Sequence, residues 1–301
     1  MCFPVLAGLV MLLGKREYTE KELAGRSLTA MVIAACFLVW NLTGDPLSLH
    51  LYSLGKDLPV YFHVDAIGKL FAFVVTLVWI LAICFAGEYM KKEQDQKRFF
   101  GFFLIVYGVL MGLCYAGNLI TFYLFYEMMT LTTVPLVLHT RTREAVTAGM
   151  KYLLYSLSGA YLVLFSTYML NRYTTSLDFT PGGTLDLAAA EGHTTLILVC
   201  ACLMILGFGV KAGMFPMHGW LSTAHPVAPA PASAVLSGVI VKMGVLGAIR
   251  VVYEIIGPEM IRGTWVQTVW LTLSLITVFM GSMLAYREKI WKKRLAYSTV
   301  S

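Results

Sequence analysis

Three ionisable side chains fall inside long apolar runs and are the residues best placed to do chemistry. Glu127 sits in NLITFYLFYEMMTLTTVPLVLH, Lys211 in GFGVKAGMFP and Lys242 in SAVLSGVIVKMGVLGAI. A charge at the centre of a spanning helix costs roughly 2.5–3.5 kcal/mol on insertion scales, so each needs a partner, water or a changed protonation state. Glu127 is about eight residues from either end of its run, roughly 12 Å in, too deep for a short side chain to reach the interface. Two readings follow. One is a buried ion pair that only joins helices, a task that apolar packing often performs as well. The other, which the residues favour, is a proton path. An ammonium taken out of water tends to give up its proton, and a neighbouring carboxylate favours its retention. Movement of Glu127 relative to Lys211 would then switch the lysine between holding and releasing a proton.

The stretch between the two lysines contains Gly213, Pro216, Pro226, Pro229 and Pro231. Proline removes a backbone donor and interrupts a helix. Broken backbone at membrane depth is tolerated where it is buried in protein or lines a wet cavity, as at ion sites of transporters. Ser222 or Thr223 supplies a cap for a short second half-helix. The plainer alternative is a loop after an ordinary span. His218 and His225 flank this region seven residues apart, either as proton relays near neutral pH or as polar residues facing a wet loop. His139 closes the Glu127 run, as a link to the cytoplasm or as an interfacial residue. Around Lys242, Ser233, Ala234, Ser237, Gly238, Gly244 and Gly247 permit close helix approach.

These residues must be held by membrane-spanning helices. The chain has 301 residues, 58% hydrophobic and 13% charged, with a mean hydropathy of +0.73. That is about half the charge of a soluble domain, in apolar runs near 20 residues long. About nine spans are expected, near Met1–Gly14, Ser27–Thr43, Val64–Glu88, Phe99–Ala116, Leu119–His139, Met150–Leu170, Thr194–Phe215, Ser233–Tyr253 and Thr264–Tyr286. Met1–Gly14 reads as a short first span; it has neither a basic flank nor a clear cleavage site. Alternate loops carry Lys15, Arg16, Lys21 and Arg26; Lys91, Lys92, Lys97 and Arg98; Arg141, Arg143 and Lys151; and Arg287, Lys289, Lys292, Lys293 and Arg294. The opposite loops and span ends hold only Lys56, Lys69, Arg172, Arg250 and Arg262. The basic side is expected to be cytoplasmic and the N-terminus outside. The net charge of +6 then reflects topology and calls for no nucleic acid.

Cys2, Cys36, Cys84, Cys114, Cys200 and Cys202 lie in apolar runs without metal-ligand spacing and read as packing residues. His50, His63 and His193 fall on the outer side in loops or near span ends, leaving no facing pair for haem. No phosphate loop, nucleotide fingerprint, catalytic triad or Fe–S ligand set is present, so partner subunits or an ion gradient must supply the energy for any proton movement.

The segments VKAGMFPMHGWL, AHPVAPAPASAVLSGVIVKMGVLGAIR, FYLFYEMMTLTTVPL and KKRLAYSTVS together resemble the antiporter-like membrane subunits of respiratory complex I, membrane-bound hydrogenases and multisubunit sodium/proton antiporters. The resemblance covers essentially the whole chain. It implies an all-α polytopic bundle with a broken seventh span. Residues 1–301 would form a single domain, with a first half-channel repeat over 98–253 and the start of an inverted second repeat over 254–301. It also implies that Glu127 is the mid-membrane glutamate, Lys211 the broken-helix lysine paired with it, and Lys242 the central relay, with His218 and His225 on the family's histidine positions. The family has a proline and usually an acid where this chain has Ser222 and Thr223.

The function implied is proton translocation within a redox-driven complex, either NADH/quinone oxidoreductase-like or hydrogenase-like. This chain would hold no cofactor. Fe–S clusters, flavin or a NiFe centre are expected in hydrophilic partner subunits, with antiporter-like homologues packed laterally in lipid and a prokaryotic inner membrane as the setting. The alternatives are a component of a gradient-driven sodium/proton antiporter, and a truncated assembly element that does not pump.

Overall fold

The computed structural model describes residues 1–16, 18–55 and 58–301; Lys56, expected on the outer side, lies outside the described residues. The longer helices are α1 (Cys2–Leu13), α2 (Glu20–Thr43), α3 (Ala66–Tyr89), α4 (Gln96–Cys114), α5 (Leu119–Val137), α6 (Arg143–Leu170), α7 (Thr194–Ala212), α8 (Leu221–Val227), α9 (Ala230–Ile256), α10 (Trp265–Arg287) and α11 (Trp291–Val300). With α7 and α8 counted as one interrupted helix, eight among the described residues are long and apolar enough to cross a bilayer. The chain is an integral, multi-pass membrane protein. The short α1 has 12 residues, roughly 18 Å, less than the hydrocarbon thickness.

Two helices start earlier than their apolar runs. α2 begins at Glu20, where Thr19 and Glu22 form a reciprocal capping box, and α6 begins at Arg143 behind the Thr142 cap. Caps and first-turn acids extend each helix beyond the membrane core, where hydropathy gives no signal. Between α2 and α3 the chain forms an antiparallel hairpin, β1 (Ser48–Ser53) with β2 (Pro59–His63), pairing Ser48 with His63.

Hydrogen bonds between loops sort the helix ends into two sides. At the basic end, Lys97 donates to the Gly14 carbonyl, Arg98 to the His139 carbonyl (2.9 Å), and Arg141 pairs with Asp95 (2.7 Å). At the opposite end, Tyr61 donates to Asp178 (2.7 Å), and Thr184 N–H to the Ile255 carbonyl (2.8 Å). This is the alternation that the basic loops imply.

The core follows the contacts of small residues. A Cβ built on Gly207 of α7 falls 2.5 Å from the Gly159 carbonyl of α6, so these two backbones touch directly. Gly213 ends α7 with φ of 81°, a left-handed turn that a side chain disfavours. The chain then runs through Pro216 and a short 3₁₀ turn (Met217–Trp220) into α8. α9 is also irregular, with π-helical segments at Leu236–Ile240 and Val251–Ile256.

Arg250 lies near the end of α9 opposite the basic loops, as expected of a span-end residue, but it is buried, 1% exposed. It binds Asp65, which caps α3, and Glu254 one turn further on (2.7 and 2.9 Å). From the sequence, Lys211 and Lys242 are the only basic residues outside the two loop sets, and Glu127 is the only deep acid. Arg250 joins Lys211 as a fully buried cation, and Glu254 is a buried carboxylate where Glu127 is half-buried.

Candidate functional site

Lys211 occupies the last turn of α7, two residues before the break at Gly213, and is fully buried. Its three ammonium donors reach three hydroxyl oxygens: Thr130 of α5 (2.9 Å), and Tyr152 (2.7 Å) and Ser156 (3.0 Å) of α6. An ammonium has three donors and no acceptor, so the set is complete. Aromatic faces close the rest of the cage, with Nζ 4.4 Å from the Tyr152 ring centroid, 5.8 Å from Tyr126 and 5.9 Å from Trp220. Trp220 is itself pinned across the break, its indole N–H donating to the Val210 carbonyl (2.9 Å).

Glu127 is half-buried on α5, nine residues into a 19-residue helix, and accepts from the Tyr123 hydroxyl (3.1 Å). It forms no ion pair with Lys211 within 4.0 Å among the described residues. The two are related through Thr130, one turn from Glu127 on the same helix face, which accepts the lysine's hydrogen bond. The lysine is therefore held by neutral oxygens and rings, with the carboxylate in a second position nearby.

Lys242 is half-buried in α9 immediately after the first π-helical segment, and donates to the Ser237 carbonyl (2.7 Å). The Ser237 hydroxyl lies 3.3 Å from His225 Nδ1, and that nitrogen is 2.7 Å from the Ser233 hydroxyl. One residue of α9 thus joins Lys242 to the buried histidine of α8. His218 stacks on Phe215 (centroids 6.1 Å apart) in the 3₁₀ turn, with Nδ1 buried and without a partner among the described residues. It is not hydrogen-bonded to His225.

His139 lies two residues beyond α5, in the turn at the basic end. It is buried, its Nε2 3.0 Å from the Gln94 carbonyl and its ring edge-on to Phe99. Burial, helped by the nearby Arg98 guanidinium, pulls its pKa below the ordinary histidine range, although the Gln94 carbonyl opposes this.

Sequence reasoning missed Thr130, Tyr152 and Ser156 and read Ser237 only as a packing residue, because hydroxyl residues in apolar helices are common. A usable signal existed in part: Thr130 is one turn from Glu127, and Ser237 is five residues from Lys242.

A family profile described as NADH:quinone oxidoreductase/Mrp antiporter, TM, matches residues 116–301. The chain belongs to this transmembrane family. A second profile, NADH-ubiquinone oxidoreductase (complex I), chain 5 N-terminus, matches residues 51–100. Among relatives, Hydrogenase-4 component B of Escherichia coli is 30% identical over 79% of this chain and 35% of its own length. An Na(+)/H(+) antiporter component of Alkalihalophilus pseudofirmus is 31% identical over 83% of this chain and 30% of its own length. In the solved Mrp complex from Dietzia sp., one chain superposes with a TM-score of 0.80 at 23% identity, covering all of this chain and 55% of that one, a likeness of fold. The chain spans between 30% and 60% of the length of such curated relatives. The mostly helical, antiporter-like membrane fold is thereby established for this family member, and α7–α8 is its interrupted helix.

Proposed function

We propose that this chain is a proton-translocating membrane subunit of a redox-driven complex, with Lys211 and Lys242 as proton carriers and residues 98–253 as the half-channel. The observation that carries the reading is the polar sequence at the helix break: a buried lysine before it, a buried histidine after it, and Ser237 linking that histidine to a second lysine. Lys211 holds its proton while its three donors stay bonded to Thr130, Tyr152 and Ser156. Approach of Glu127 favours the ammonium, and its withdrawal favours release. Protons leaving Lys211 pass the break to His225 and the Ser237 hydroxyl, and water carries them from that hydroxyl to Lys242, which the Ser237 carbonyl holds in place. His218 and His139 are candidate relays at the break and at the basic end.

In this reading the driving redox chemistry comes from hydrophilic partner subunits carrying Fe–S clusters, flavin or a NiFe centre. Other membrane subunits, antiporter-like homologues among them, would pack laterally in a prokaryotic inner membrane, with the N-terminus outside. The names of relatives containing hydrogenase and NADH-quinone oxidoreductase components support this assignment. A gradient-driven sodium/proton antiporter is the second reading, supported by the 31% identity to an antiporter component.

Two measurements separate these readings. Lys242→Ala in the native complex should abolish ion pumping while electron transfer slows or runs uncoupled; undiminished pumping overturns the path. Mass spectrometry of the complex purified in mild detergent should find Fe–S or NiFe-type subunits. Finding only small hydrophobic partners, with sodium-dependent proton exchange and no redox substrate, moves the assignment to the antiporter.

A further inference from the structure

A cavity of about 440 Å³ opens at the basic end between α6, α8 and the start of α11. Its cations are Arg143 and Lys151, two turns apart on one face of α6, and Lys293 from α11. Glu144 is the single carboxylate on its wall, and Ser222 and Thr223 present hydroxyls from α8. None of the three cations forms an ion pair within 4.0 Å among the described residues. Arg143 is exposed, while Lys151 and Lys293 are half-buried, with the Lys151 ammonium 5.9 Å from the Tyr155 ring. Three like charges facing one cavity repel one another, and a single carboxylate leaves them under-compensated.

We propose that this cavity binds a phosphate-bearing anion, and that its source is the headgroup of an anionic phospholipid. The ligand chemistry follows from the donors: a guanidinium that can engage two phosphate oxygens at once, two ammonium groups, and the Ser222 hydroxyl, whose bond to the Gly219 carbonyl is long (3.4 Å) and readily exchanged. The lipid source follows from position. The cavity runs from Arg143 to Lys151 along the part of α6 that extends from the apolar run towards its Thr142 cap, and Ala148, Pro226 and Val227 give it an apolar wall. Interfacial clusters of basic residues on the cytoplasmic side attract anionic headgroups. A bound phosphate bridges α6 and α11 across α8, fixing the short helix that carries His225. None of the cavity's charged side chains belongs to the proton path, so the inference stands apart from that reading.

The test is amide hydrogen exchange on the intact native complex, read on peptides covering 219–227. The complex is placed in nanodiscs of phosphatidylcholine alone, of phosphatidylcholine with phosphatidylglycerol, and of phosphatidylcholine with inorganic phosphate against chloride of equal ionic strength. Exchange in this segment should slow about tenfold once the ligand is near ten times its dissociation constant. Protection by phosphatidylglycerol only assigns the headgroup. Protection by inorganic phosphate in the uncharged disc supports the anion site but replaces the lipid source with the free ion. The effect should vanish in Lys151→Gln/Lys293→Gln, and persist in Lys151→Arg and in Lys289→Gln, which alters an exposed charge outside the cavity. Equal exchange in all discs, protection by chloride, or unchanged protection in the double variant overturns the proposal.

Discussion

Lys211 shows how a charge is kept at membrane depth without a carboxylate in contact. Three hydroxyls and three aromatic faces replace its hydration shell, and each hydrogen bond to a charged group is worth roughly 1.5–3 kcal/mol. Tyr152→Phe keeps the ring over the ammonium and removes one acceptor. It should lower thermal stability by about that amount, and reduce pumping more than electron transfer. An unchanged melting temperature and unchanged coupling would show that the hydroxyl is dispensable. His139 makes a separate statement. Its folded pKa lies below the ordinary value of about 6.5, so the unfolded chain binds the proton more readily. Its contribution is intact above that ordinary value and is lost as pH falls toward the folded pKa. Melting temperature in detergent should therefore drop across the mildly acidic range, and His139→Gln should flatten that part of the profile.

At the scale of elements, irregular backbone is placed where polar side chains need room. The left-handed turn at Gly213 ends α7 beside Lys211, and the π-helical turn of α9 ends beside Lys242. Lys292 of α11 donates to the Ala228 carbonyl (2.9 Å), satisfying backbone next to a proline that cannot continue the helix. Direct contact of α6 and α7 at Gly159 and Gly207 brings Tyr152 and Ser156 within reach of Lys211. Gly207→Val puts a side chain against the Gly159 carbonyl. It should cost about 1–3 kcal/mol of stability through overpacking. The same variant should uncouple the complex by widening the lysine cage, and a fully coupled, stable Gly207→Val would refute that link.

Over the whole molecule, Arg250 ties the α3 cap to the far end of α9, with its guanidinium over the Phe179 ring at 4.7 Å. Removing it leaves Asp65 and Glu254 without their cation, so Arg250→Ala should destabilise by about 3–5 kcal/mol, read as loss of assembled complex or a lower melting temperature. Asp65→Asn should cost less, because Glu254 still neutralises the guanidinium; an equal loss would mean that the α3 cap, rather than the ion cluster, dominates. Much of this architecture is legible in the sequence. Apolar length fixes the spans, alternate basic loops fix which ends lie together, and the resemblance places the break. The burial and pairing of Arg250 are not legible, because a charge near the end of an apolar run looks the same whether it faces water or a carboxylate 185 residues away.

Composition alone determined that the chain lives in a bilayer, because hydrocarbon solvates only long apolar helices whose backbone groups are satisfied internally. It also determined that Glu127, Lys211 and Lys242 need compensation, since a charge in that medium is costly wherever it falls. What compensates them was decided only by the tertiary structure. Thr130, Tyr152 and Ser156 meet Lys211 from two other helices, and Ser237 meets His225 across three prolines. Such pairings depend on crossing geometry, which local patterns along one chain do not encode.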